Sequence, residues 1–460
     1  MFWRLLIILA VTAPISALAI GEKDSGYRGI WYCNQTTNDE YVYKYSGGLG
    51  TYCSNHIPMA IYAPQVEKTF FVYGGAKEDK NTLIEMVSCY DHKTGQVPRP
   101  TSLLDKKTED AHDNPVLSID SSGYLWVFAS AHGTSRPAYI FRSQKPYDID
   151  AFDQILETNF SYPQPWYVEN KGFFFLHTHY EKGHRVLFWM TSPDGKTWSE
   201  RHPLAHIDQG HYQVSWPGPG KIGSCFDFHP KDLGLNSRTN LYYVETTDFG
   251  NSWHAADGAP IETPITSINS PALVHNYQAE GLLMYGKDLK FDSEGRPVFL
   301  HVTSKGWKPG PAQGPHTWRI AHWTGSAWEI NAITESGNNY DSGALYIESD
   351  GLWRVIGPTE TGPQPYNPGG EIAVWTSRDK GEHWTKEEQL TFNSEFNHTY
   401  VRSPLNANPG FYAFWADGHG RKPSPSRLYF YDKTRDTVFR LPSAMVSTSQ
   451  PPQPVIKAIP

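Results

Sequence analysis

One turn signature recurs along the chain and constrains its fold more than any other feature. Thr246-Thr247-Asp248-Phe249-Gly250-Asn251-Ser252-Trp253 and Ser377-Arg378-Asp379-Lys380-Gly381-Glu382-His383-Trp384 both read Ser/Thr-x-Asp-x-Gly-x-x-Trp. Ser192-Pro193-Asp194-Gly195-Lys196-Thr197-Trp198 is the same pattern with one residue deleted. The Asp and Gly fix a tight turn and the Trp packs between sheets, so this Asp box is a structural repeat of a β architecture.

A second, looser repeat has seven members. Short apolar runs end in polar punctuation at 70–75 (FFVYGG), 125–133 (LWVFASAHG), 173–180 (FFFLHTHY), 222–230 (IGSCFDFHP), 298–306 (VFLHVTSKG), 352–360 (LWRVIGPTE) and 411–420 (FYAFWADGHG). Gly (39) and Pro (35) are plentiful and aromatics reach 14%, a turn-rich all-β balance without long helical stretches. We expect a single seven-bladed β-propeller of four-stranded antiparallel blades over residues 20–460. Residues 26–32 (GYRGIWY) are expected to add a strand to the last blade and close the ring, removing exposed sheet edges.

Residues 1–19 read as an export signal: a charged start at Met1–Arg4, an apolar run, and a small-x-small site at Ala17-Leu18-Ala19. A secreted or periplasmic product is expected, with no membrane-spanning segment after the signal. The net charge of −8 argues against a nucleic-acid partner, while a local basic cleft would still suit an anionic polysaccharide. A monomer is expected. The four cysteines are too scattered for a disulfide scaffold, although a Cys33–Cys53 bridge is open to the chain in an oxidising compartment.

Several polar lead-ins mark the starts of innermost strands: Asn55-His56-Ile57-Pro58, His112-Asp113-Asn114-Pro115, Gly210-His211-Tyr212, Asn269-Ser270-Pro271, Asn339-Tyr340-Asp341 and Asn397-His398-Thr399-Tyr400. The punctuated runs are then second strands. In an antiparallel blade the start of the first strand lies beside the end of the second, so both sets meet at one end of the ring. That end would gather His56, His112, His132, His177, His179, His211, Tyr212, His229, Lys305, Glu360, Asp417 and His419, the default position for a ligand site.

His112 and His132 bracket one predicted hairpin and should be neighbours there; imidazoles titrate near neutrality and move protons. Tyr212 offers a phenol as proton donor, or as acceptor when a cation stabilises the phenolate. His211, His229 and Arg238 are candidates for holding substrate. Cys225, Asp227 and His229 share one strand face, and Cys225, His229 and His275 form a candidate set for a structural metal ion, Zn or Ca. Glu360, Glu371, Asp341 and Asp417 are the carboxylates from which a glycosidase pair would be drawn.

With these residues assembled, the chain resembles the BNR/Asp-box propellers of polysaccharide-degrading bacteria, and among them the ulvan lyases. The resemblance rests on "GYRGIWY", "GGLGTY…HIPMAIYAP", "DAHDNP…GYLWVFASAHG", "GHYQVSW…FDFHP…RTNLYY" and "GPQPYNPGGE" with "NHTYVRSP". It implies a secreted lyase that cleaves a uronic-acid polymer, ulvan-like and sulfated, by β-elimination without a cofactor. His112 and His132 match the family's paired histidines and Tyr212 its acid–base tyrosine, with His112 as base or carboxylate neutraliser and His132 supporting. Where the family carries an arginine, this chain has His229, and the resemblance implies that Lys287 holds substrate further out in the canyon. Two other readings stay open: a sialidase-like glycoside hydrolase and a non-catalytic carbohydrate-binding propeller.

Overall fold

The computed structural model describes residues 20–455, so the export signal expected over 1–19 lies outside the described residues. Seven antiparallel sheets follow one another around a ring, spanning residues 60–105, 115–158, 161–205, 213–261, 283–336, 344–389 and 397–440, here blades 1 to 7. Each has four sequential main strands, and among the described residues the only helical elements are three short 3₁₀ turns. Among the described residues no helix is long and apolar enough to cross a membrane.

All seven punctuated runs are second strands, from Lys68–Lys77 in blade 1 to Ala413–Gly418 in blade 7. One lead-in was misplaced. Asn269-Ser270-Pro271 precedes Leu273–His275, an extra strand that pairs with Thr239–Thr246 of blade 4, whereas the innermost strand of blade 5 is Leu283–Phe291. A polar turn before a β-branched run signals a strand; it does not say which blade receives it.

The expected strand exchange at the seam is also corrected. Residues 26–32 do not join the blade 7 sheet. Tyr27 and Gly29 donate backbone N–H groups to Pro442 and Ser426 on the blade 7 side, and Ile30 donates to Gly74 on the blade 1 side. The chain then enters a separate hairpin, Trp31–Thr36 paired with Tyr43–Gly48. Closure comes instead from aromatic packing between blades 1 and 7, where Phe411 stacks on Phe71 (5.5 Å) and on Phe430 (4.5 Å). A short pairing of Ser449–Gln450 with Val97–Pro98 adds backbone bonds across the same seam.

The Asp boxes lie between the third and fourth strands of blades 3, 4 and 6. In each, a Ser or Thr hydroxyl accepts from the box glycine N–H, and the Asp carboxylate accepts backbone N–H groups, as in Thr197 N to Asp194 Oδ1 at 2.7 Å. Gly195 has φ +71°, and a methyl group there would lie 2.5 Å from the Trp126 ring of blade 2. Gly195→Ala should therefore cost about 2–3 kcal/mol, part backbone strain and part overpacking, read as a lower midpoint in denaturant with an unchanged slope.

All four cysteines are free, so the Cys33–Cys53 bridge is not formed.

Candidate functional site

Strand pairing delivers the two histidines as expected. Pro115 pairs with Ala129 across the first two strands of blade 2, so the residues just outside them, His112 and His132, are brought together. Their rings stack with centroids 3.9 Å apart and planes inclined by 16°. What holds them is a residue that the sequence reading passed over. Asp110 caps a 3₁₀ turn at Ala111–Asp113, accepting the His112 backbone N–H at 3.0 Å. Its two oxygens then take one imidazole each: His112 Nδ1–H donates to Oδ1 at 2.5 Å and His132 Nδ1–H to Oδ2 at 2.7 Å. An ionised carboxylate only accepts, so both rings carry their proton on Nδ1. Arg136 braces this fork, reaching Asp110 at 3.2 Å and gripping Asp113 with two bonds of 2.8 Å.

The two rings are not equivalent. His112 is buried, and its Nε2 accepts from the Tyr52 hydroxyl at 2.7 Å and lies 3.1 Å from that of Tyr45. Burial, reinforced by His132 and opposed by Asp110, lowers its pKa to about 4, so it is neutral at physiological pH. His132 is 25% exposed at its side chain, and its Nε2 has no hydrogen-bond partner among the described residues. Burial alone would raise the Asp110 carboxyl, but the two imidazoles hold it well below the ordinary carboxylate range.

Both rings line a cavity at this end of the ring, together with Tyr212, Arg185, Arg238, Lys44 and Lys287. Tyr162 stands between the imidazole pair and Tyr212, its ring centroid 6.4 Å from His132 and 5.1 Å from Tyr212. Tyr212 lies between two guanidinium groups, with Arg238 4.4 Å and Arg185 5.1 Å from its ring centroid. Its backbone N–H is fixed by Asp227 Oδ1 at 2.8 Å. Burial disfavours charge on both arginines, yet the surrounding phenols more than offset it and keep their pKa values raised. Arg185 Nη1 and Arg238 Nε are buried with no hydrogen-bond partner among the described residues. Among the described residues no Asp or Glu lines the cavity.

Local irregularities aim several of these side chains. The innermost strands of blades 3, 5 and 7 each carry a register shift, next to Tyr162, Lys287 and Tyr400. An extra residue in one strand turns a side chain out of the ladder, here into the cavity.

Several expected site residues lie elsewhere. His211 is fully buried, its Nδ1–H donating to Asp227 O at 2.6 Å and its Nε2 accepting from Ile207 N at 2.8 Å, so both nitrogens serve the fold. His229 is buried behind Tyr212, with Nδ1–H donating to Gly210 O at 2.9 Å. Neither lines the cavity, and neither is placed to hold substrate. Arg238 and Lys287 do line it. The candidate metal set is not assembled: Cys225 belongs to the apolar core, His229 is tied to Gly210, and His275 pairs with Glu280 at 2.5 Å near the surface. Among the described residues, potential ligand atoms do gather at Asp110, His112 and His132, where they hydrogen-bond one another, and at the exposed Asp379, Glu382 and His383. Of the other groups expected at this end, His177 is buried inside blade 3, Glu360 pairs with Lys386 at 2.9 Å, and Asp417 pairs with Arg427.

An Asp-box propeller with one cationic, tyrosine-lined canyon is the class defined by these features. The chain belongs to the BNR repeat-containing family, which matches residues 86–336, more than half of its length. It is 24% identical over 407 residues to an ulvan lyase of Alteromonas sp. (strain LOR), covering 76% of this chain and 79% of that one. An ulvan lyase of Nonlabens ulvanivorans is 23% identical over 429 residues, covering 82% of this chain and 85% of the relative. Among solved structures, a PL25 ulvan lyase superposes with a TM-score of 0.68 at 16% identity, covering 89% of this chain and 96% of that one. The same lyase has been solved bound to -[GlcA(1-4)Rha3S]-.

Proposed function

We propose that this protein is a polysaccharide lyase that cleaves an ulvan-like polymer, alternating uronate and sulfated sugar, by β-elimination. The observation that carries this reading is the composition of the canyon: four cations, two imidazoles and several phenols, with no carboxylate among the described residues of its wall. A glycoside hydrolase of the usual kind needs a pair of carboxylates flanking the bond, and this wall has none to offer. Elimination needs a neutraliser for the uronate carboxylate, a base for the C5 proton and an acid for O4. The relatives named ulvan lyase support the same reading.

Arg185 and Arg238 meet the carboxylate and make the C5 proton more acidic. His132, with its proton held on Nδ1 by Asp110, has a free lone pair on Nε2 and takes that proton. The C5 electron pair forms the C4–C5 double bond as the C4–O4 bond breaks, and Tyr212 gives its phenolic proton to the departing O4. The phenolate left behind is met by the two guanidiniums, a preorganised electrostatic stabilisation. The imidazolium and phenolate then return to neutrality through water. This gives the base role to His132 and not to His112, which was expected as base or carboxylate neutraliser, because His112 Nε2 is already occupied by Tyr52. The enzyme acts after export, once residues 1–19 are removed.

Purified protein incubated with ulvan should release oligosaccharides whose ends carry the ultraviolet absorbance of an unsaturated uronate. Reducing ends without that absorbance would mean hydrolysis and would overturn the reading.

A further inference from the structure

Lys44 is used by neither the fold nor the reaction above. It lies on the hairpin Trp31–Thr36/Tyr43–Gly48, which stands outside the seven blade sheets. Its side chain is buried in the canyon wall at 5% exposure. The ammonium is enclosed by the rings of Tyr45 (5.6 Å), Trp307 (5.7 Å) and Tyr340 (5.6 Å). An ammonium has three donors, and only one is used, on Asn236 Oδ1. No carboxylate among the described residues forms an ion pair with it, although a buried cation is costly unless paired. Its neighbours come from three further places in the chain: the loop before the third strand of blade 4 (Asn236), the loop after the second strand of blade 5 (Trp307) and the lead-in to blade 6 (Tyr340). Loops on a rigid scaffold are where specificity is built.

We propose that Lys44 is a second anion-binding centre, which takes the sulfate ester of the sugar next to the uronate held by Arg185 and Arg238. The proposal rests on the lyase reading given above and adds the residue that distinguishes sulfated from unsulfated polymer. The division follows from the shapes of the groups. Planar guanidiniums match a planar carboxylate, whereas a compact ammonium with rotatable donors suits a tetrahedral anion. Lys44 and Arg238 each lie 5.6 Å from the ring centroid of Tyr340, on one continuous wall, so a single chain can reach both. Burial, with a contribution from Arg238, lowers the Lys44 pKa to about 7. A fully ionised sulfate draws the proton back onto the nitrogen and supplies the missing counter-ion.

The test compares ulvan with chemically desulfated ulvan, for wild type and Lys44→Met. The wild type should prefer the sulfated polymer in kcat/KM, and Lys44→Met should reduce that preference by about tenfold, mainly through KM. Lys44→Met should also unfold at the same temperature or higher, because it removes an unpaired buried charge while keeping the apolar stem. An unchanged sulfated-to-desulfated preference in the variant would overturn the proposal. So would a large drop in unfolding temperature, which would make Lys44 a structural element of its aromatic box. If neither polymer yields unsaturated product, the lyase reading fails instead, and calorimetric titration of the two polymers still decides the sulfate site. Equal loss of affinity for both polymers in Lys44→Met would then assign the ammonium to a carboxylate.

Discussion

Tyr212→Phe should lower kcat on ulvan by about 10³-fold while the protein stays folded. The structural cost is small because the hydroxyl makes one long contact, 3.5 Å to the Tyr162 hydroxyl, while the ring and backbone anchors remain. The chemical cost is large because the alkoxide at O4 is a poor leaving group unless it is protonated as it departs. This gives a second, sharper outcome. On a synthetic uronate whose O4 substituent is a nitrophenol, the leaving group departs without a proton, so the deficit of Tyr212→Phe should shrink to within about tenfold. A deficit of equal size on both substrates would mean that Tyr212 acts elsewhere in the reaction, for instance on the C5 proton. Full activity on ulvan would remove it from the chemistry altogether.

The blade architecture was legible in the sequence because its signals are local. Every second strand ends in a polar break, and the Asp boxes mark the same turn three times. The meeting of His112 and His132 was legible too, since a hairpin of known register determines which residues oppose each other. Arg185 was not, and the reason is geometric. It begins the third strand of blade 3, His184–Ser192, and faces the canyon because that strand starts where the second one ends. Nothing in "YEKGHR" separates it from an ordinary surface arginine. Tyr162 and Tyr400 were hidden for a different reason: a strict two-residue alternation does not reveal a strand irregularity, and register shifts next to these residues accompany their turn into the cavity. His211 and His229 illustrate the converse. Their positions in the chain matched a site, but His211 spends both ring nitrogens on backbone groups and His229 ties its Nδ1 to Gly210, which only coordinates reveal.

Asp110 is the position where a one-atom change should have the largest effect on the imidazole pair. Asp110→Asn keeps shape and volume but replaces one acceptor oxygen by an NH₂ group, so only one of the two Nδ1–H donors can still be satisfied. The other ring must move its proton to Nε2 and accept from the amide. If that ring is His132, the nitrogen facing the cavity becomes a donor and can no longer take the C5 proton. If it is His112, the new Nε2–H points at the Tyr52 hydroxyl, which must turn to accept it. Arg136 loses one partner but keeps both bonds to Asp113, so the turn itself should persist. The expected result is a fall in kcat of the order of 10³ with KM changed much less, as befits a residue that positions and orients other groups without touching substrate. Nitrogen NMR of labelled histidine reads the cause directly. The wild type should show both rings protonated at Nδ1 at neutral pH, and Asp110→Asn should show one of them switched to Nε2. A loss of activity without a tautomer switch would reduce Asp110 to a brace for the turn, whereas a switch of the His132 ring without loss of activity would exclude it as the base.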